Sequence, residues 1–146
     1  MTVRQTLPIL LALVLASSAR ADGFLSKSYE FKANTPLQVG VDLGDGVRFD
    51  SIEFVLPKPP GDGPTPLFDQ PKAKVTISNL GGAAVKIGIA IAVVDGEGSL
   101  VGVGSGGTKL VPLRAGRQMV YAIDFDDVRA RLASGSAFRI TLETSR

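Results

Sequence analysis

Apolar residues alternate with polar or small ones along most of this 146-residue chain. The clearest run covers residues 85–94, where Val85, Ile87, Ile89, Ile91 and Val93 recur at every second position. That period places them on one face of a β-strand. The same alternation predicts strands over residues 38–43 (Val39, Val41, Leu43), 73–78 (Val75, Ile77), 119–125 (Met119, Tyr121, Ile123, Phe125) and 138–142 (Phe138, Ile140, Leu142). Residues 100–104 form a return strand, and Tyr29 and Phe31 mark a first edge strand over residues 24–31. Over residues 47–56 the phase slips: Val47 and Phe49 share one parity, Ile52, Phe54 and Leu56 the other. A β-bulge at Asp50–Ser51 returns both sets to a single face.

Turn signals separate these runs: Gly44-Asp45-Gly46, Asn79-Leu80-Gly81-Gly82 and Asp95-Gly96-Glu97-Gly98. Only residues 126–132 suggest helix, as one or two turns capped by Asp126. About seven short strands without a long helix-period segment predict an all-β fold, an antiparallel β-sandwich, and argue against βαβ units.

The hairpin around Asp95 has two registers to weigh: a two-residue loop at Gly96-Glu97 pairs Ile91 with Gly102 and Ala92 with Val101 and mixes large and small residues on each face, so the longer loop is favoured. A three-residue loop, Gly96-Glu97-Gly98, pairs Val93 with Val101, Ile91 with Val103, Ala92 with Gly102 and Ala90 with Gly104. It gathers the β-branched residues on one face, and Gly98 supplies the left-handed residue such a loop needs. Gly88, Ala90, Ala92, Gly102 and Gly104 then form a smooth strip on the opposite face. A solvent face normally carries larger polar side chains, so the strip is a candidate interaction surface. Its cover is part of the domain, a protein partner or a second copy.

Residues 57–72 break the pattern, with six of the nine prolines lying between Pro57 and Pro71. Proline donates no hydrogen bond to a sheet ladder, so this stretch reads as an extended connector. At the other extreme, Arg4, the apolar run from Leu7 to Leu15 and Ala19-Arg20-Ala21 follow the order of a secretory signal peptide. Cleavage is expected before Asp22. The apolar run is too short for a membrane span, which needs about 20 residues. Residues 22–146 then form a single domain in a periplasmic or secreted bacterial setting, without a membrane span.

Charge narrows the partners. The chain holds 16 basic and 14 acidic residues, and loss of Arg4 and Arg20 brings the two into balance. Arg114, Arg117, Arg129 and Arg131 are not interleaved with enough aromatic rings for nucleic-acid binding. Cysteine and histidine are absent. Ser-His-Asp and Cys-His catalysis and His/Cys metal sites are therefore excluded, and no catalytic residue or cofactor is assigned. The acidic cluster Asp124, Asp126 and Asp127, with Asp42 and Asp45 at another turn, offers oxygen ligands for Ca²⁺ but lacks EF-hand spacing. Gly102 to Lys109 resembles a phosphate loop only in its glycines: the order is Gly-Thr-Lys, and Pro112 interrupts any following helix.

Residues 73–142 resemble the bacterial envelope sandwich domains called FxLYD. Val75 to Asn79 matches that family's strand ending in Asn, Ile91 to Gly98 its naming motif and Gly turn, and Leu113-Arg114-Ala115-Gly116 its Leu-x-x-Gly. Ile91, Val93 and Val94 stand where the family carries Phe, Leu and Tyr; Asp95 is kept. The resemblance implies an immunoglobulin-like sandwich of the cell envelope and carries over no catalytic residue. The expected function is a non-catalytic binding or structural module acting through protein–protein contacts. Alternatives are a carbohydrate- or Ca²⁺-binding module, with Tyr29 and Tyr121 as the polar rings, and a small carboxylate-based hydrolase.

Overall fold

The structure is a computed structural model that describes residues 23–57, 70–125 and 130–146. The expected antiparallel β-sandwich is present, with eight strands among the described residues. They are β1 (Phe24–Glu30), β2 (Leu37–Gly44), β3 (Val47–Val55), β4 (Lys72–Asn79), β5 (Lys86–Val94), β6 (Leu100–Gly107), β7 (Arg117–Asp124) and β8 (Ala137–Ser145). One sheet has the order β1-β8-β5-β6 and the other β2-β3-β4-β7. The leader-like residues 1–21 and most of the proline-rich connector lie outside the described residues. Of residues 126–132, expected as helix, the first four do as well; a short 3-10 turn follows at Leu132–Ser134.

The alternating residues form the core, as their period requires. Ile87, Ile89, Ile91 and Val93 of β5 and Phe138, Ile140 and Leu142 of β8 face Phe49, Ile52, Phe54, Val75 and Ile77 of the other sheet, all buried. Phe54 is the aromatic centre, with ring centroids 4.6 Å from Phe31 and 4.8 Å from Phe138. The bulge in β3 is present. Phe49 pairs with Ile77 and Ser51 with Thr76, leaving Asp50 unpaired, so Val47, Phe49, Ile52 and Phe54 all point inward.

Asp50, displaced by the bulge, ties three strands together. It accepts hydrogen bonds from Arg48 Nε at 2.6 Å, Ser78 Oγ at 2.5 Å and Gln118 Nε2 at 3.2 Å. Burial alone would raise its carboxyl, but these bonds and the Arg48 charge hold it below the ordinary value.

Asn79 does equivalent work inside the domain. It is fully buried at the end of β4. Its amide donates to the carbonyls of Ala83 and Leu113, and its Oδ1 accepts the Gly81 N–H. Every strong hydrogen-bonding group of the side chain is thus engaged. The Leu113 segment is held further by paired backbone bonds with Val85. Val85 belongs to this isolated bridge and not to β5.

Candidate edge cleft

The hairpin loop is the three-residue one. Asp95 N–H donates to Ser99 O at 2.9 Å, Gly98 has φ +82°, and the Asp95 carboxylate accepts the N–H groups of Glu97 and Ser99. Val94 faces Leu100 in the expected register. The register then slips by one residue, so that Val93 faces Gly102, Ala92 faces Val103 and Ile91 faces Gly104. The expected single Gly/Ala face is therefore corrected. Gly88, Ala90 and Ala92 lie on the outer face of β5, whereas Gly102 and Gly104 point inward and are buried.

The slip has a steric cause. An inward β-carbon at Gly104 would lie 2.8 Å from Ile123 Cγ2 and 2.9 Å from the Asp124 carbonyl. At Gly106 it would lie 2.5 Å from Ile123 Cδ1. The sandwich is pinched where β6 passes β7: a side chain at Gly104 would meet backbone, and one at Gly106 the end of the Ile123 side chain. Without the bulge Val103 would point into this space. With it, Val103 faces outward and is more than half exposed.

Between the two strands lies a cleft of about 750 Å³, which Gly104, Gly106 and Asp124 of the pinch also line. Gly106 and Gly107 form its β6 side, Leu110 to Pro112 its rim, and Met119 and Tyr121 its β7 side. Burial pushes the Tyr121 phenol up from its ordinary value. Met119 shares the parity of buried Ile123 on β7 yet is 50% exposed among the described residues. Val120 is 54%, Val111 66% and Leu110 96% exposed, which makes this side of the sandwich markedly apolar.

Among the described residues β6 and β7 are both edge strands. Thr108 N–H donates to Ile87 O, so antiparallel alternation turns the backbone groups of Val103 and Ser105 outward. On β7, Phe125 N–H donates to Pro71 O, which leaves those of Gln118, Val120, Ala122 and Asp124 at the open edge. β6 carries no charge or proline, and β7 is charged only at its ends, Arg117 and Asp124. The other two edges are blunted. β1 carries Lys27 and Glu30, and β2 is broken by register shifts on either side of Val41–Asp42.

The remaining candidates fall elsewhere. Asp42 accepts the Gly44 N–H at 2.7 Å, and Asp45 pairs with Arg146 at 3.1 Å. Asp124 is exposed at the end of β7, while Asp126 and Asp127 lie outside the described residues. Among the described residues, no group of three or more acidic side chains is placed to hold a metal ion. The run resembling a phosphate loop is mostly strand: β6 extends to Gly107, and the Thr108 hydroxyl accepts the Ile87 N–H. Arg114 and Arg117 flank a hollow beside the cleft, Arg131 precedes the 3-10 turn, and Arg129 is outside the described residues. Tyr29 is stacked on Phe138. No helix among the described residues is long and apolar enough to cross a membrane.

The sequence reading missed the cleft. Its signal was present in the uncharged stretches of residues 100–107 and 118–123, but nothing in them marks either strand as an edge. No protein-family model matches this chain, and no significant match is found among curated proteins.

Proposed function

We propose that this protein is a non-catalytic binding or structural module of the bacterial periplasm or secreted space, acting through protein–protein contacts at the β6/β7 side. One observation carries the reading: among the described residues two neighbouring edges are free, β6 without a charge and β7 with an unshifted ladder and charges only at its ends, and apolar side chains ring them. Such edges invite strand addition, in which main-chain bonds supply affinity and side-chain pockets supply selectivity. The leader-like residues 1–21 and the FxLYD-like pattern of residues 73–142 support an envelope setting.

The carbohydrate alternative draws on Tyr121, which lines the cleft but is half-buried. The hydrolase alternative has less support. Asp124 is the only acidic residue lining the cleft among the described residues, whereas glycoside hydrolysis generally uses two carboxylates.

Site-specific photocrosslinking in producing cells tests the reading. A photoreactive residue at Val103 or Val120 is expected to give discrete protein adducts, and one at Ser28 or Gln38 none. Equal labelling from all four positions, or none from the first two, overturns it.

A further inference from the structure

We infer that the protein binds a second copy of itself through β7, the two β7 strands pairing antiparallel about a two-fold axis at Tyr121. This rests on the edge-binding reading above and names the occupant. β7 is the better of the two open edges for self-pairing. Its ladder with β4 runs without a register shift from Lys72–Asp124 to Asn79–Arg117, whereas β6 is bulged and rich in glycine. A flat, regular edge accepts another strand most readily.

Charge selects the occupant. Arg117 stands at one end of β7, with Arg114 beside it in the adjoining hollow and Lys109 on the cleft rim, and Asp124 stands at the other end. None of the four forms an ion pair among the described residues. Antiparallel pairing of identical strands lays the basic end of each copy against the acidic end of the other, so the edge is complementary to itself. A closed two-fold contact has this property, because the same patch meets itself in reverse.

The axis follows from the pleat. In a continuous sheet, facing residues point to the same side, so a β7 residue faces one of equal parity. An axis at Tyr121 places Val120 opposite the second copy's Ala122 and Gln118 opposite its Asp124. Exposed Val120 is covered, Gln118 gains an acceptor, and the free backbone groups of residues 118–124 find partners. The two four-stranded β2-β3-β4-β7 sheets become one sheet of eight strands.

The test uses protein purified from producing cells. Sedimentation equilibrium is expected to show a dimer. Val120→Lys is expected to weaken it by roughly tenfold or more, since like charges then meet near the axis. Ser28→Lys, on the β1 edge, should leave it unchanged. The chain has no cysteine, so single cysteines report the register cleanly. Differently tagged Val120→Cys and Ala122→Cys are expected to form a mixed disulfide on oxidation, in preference to either alone. Circular dichroism confirms that each variant is folded. A monomeric wild type, a dimer indifferent to Val120→Lys, or a disulfide formed preferentially by Val120→Cys alone overturns the proposal. A monomer that still gives adducts at Val120 in cells overturns self-pairing, assigns the edge to a foreign strand and leaves the binding reading standing. A monomer without adducts there overturns both.

Discussion

Gly104 of β6 packs so closely against Ile123 of β7 that a β-carbon on the glycine would sit 2.8 Å from the isoleucine Cγ2. The pinch between the sheets, the slip in the β5–β6 register and the cleft between the two strands all belong to this one approach. Gly104→Ala is expected to lower unfolding free energy by about 1–3 kcal/mol, the usual cost of overpacking, because the Asp124 carbonyl at 2.9 Å is backbone and yields little. Gly106→Ala should cost less, since it meets mainly the mobile end of the Ile123 side chain. Urea denaturation of both variants checks the order.

Asn79→Ala removes a fully buried amide and leaves the carbonyls of Ala83 and Leu113 and the Gly81 N–H short of partners. Unsatisfied buried groups cost about 1–3 kcal/mol each, partly relieved by entering water, so a total loss of about 2–4 kcal/mol is expected. Asn79→Asp should do no better, because a carboxylate faces the two carbonyls without a proton to donate. Thermal unfolding of both variants provides the comparison.

Asp50 predicts an acid dependence. Its carboxyl is held below the ordinary value of 3.8 in the folded protein. The ionised form therefore stabilises the fold above that pH, and the contribution is lost as pH falls through 3.8 toward the lowered folded value. Asp50→Asn should be less stable than wild type at neutral pH, with the gap narrowing on acidification below 3.8. Urea midpoints measured across that range for both proteins report it. A gap that stays constant would mean the carboxyl has no special partners.

Ala90→Glu should change unfolding free energy by no more than about 0.5 kcal/mol, because the residue is exposed on the outer face of β5. Ala92→Glu places a carboxylate across from Arg139, an opposite-charge pair worth about 0.2–1 kcal/mol in a sheet. Both should melt close to wild type. A fall of several degrees in Tm for either would restore a covered strip on this face.

The sequence by itself determined the sandwich, because burial on one face imposes a period of two that survives in the order of residues. It even exposed the β3 bulge: Val47 and Phe49 change phase with Ile52 and Phe54, and only an extra residue such as Asp50 reconciles them. It also set the Asp95 loop, through a glycine suited to positive φ at Gly98. The faces of β6 were decided only in the tertiary structure. Glycine has no side chain to show which way it points, and the reason Gly104 faces inward lies in Ile123, nineteen positions along the chain and in the other sheet. The open edge is likewise a property of strand order: an apolar strand reads the same whether one neighbour covers it or two. Edge status depends on where the chain crosses between sheets, and that is settled by long-range packing, which leaves no local pattern in the residues themselves.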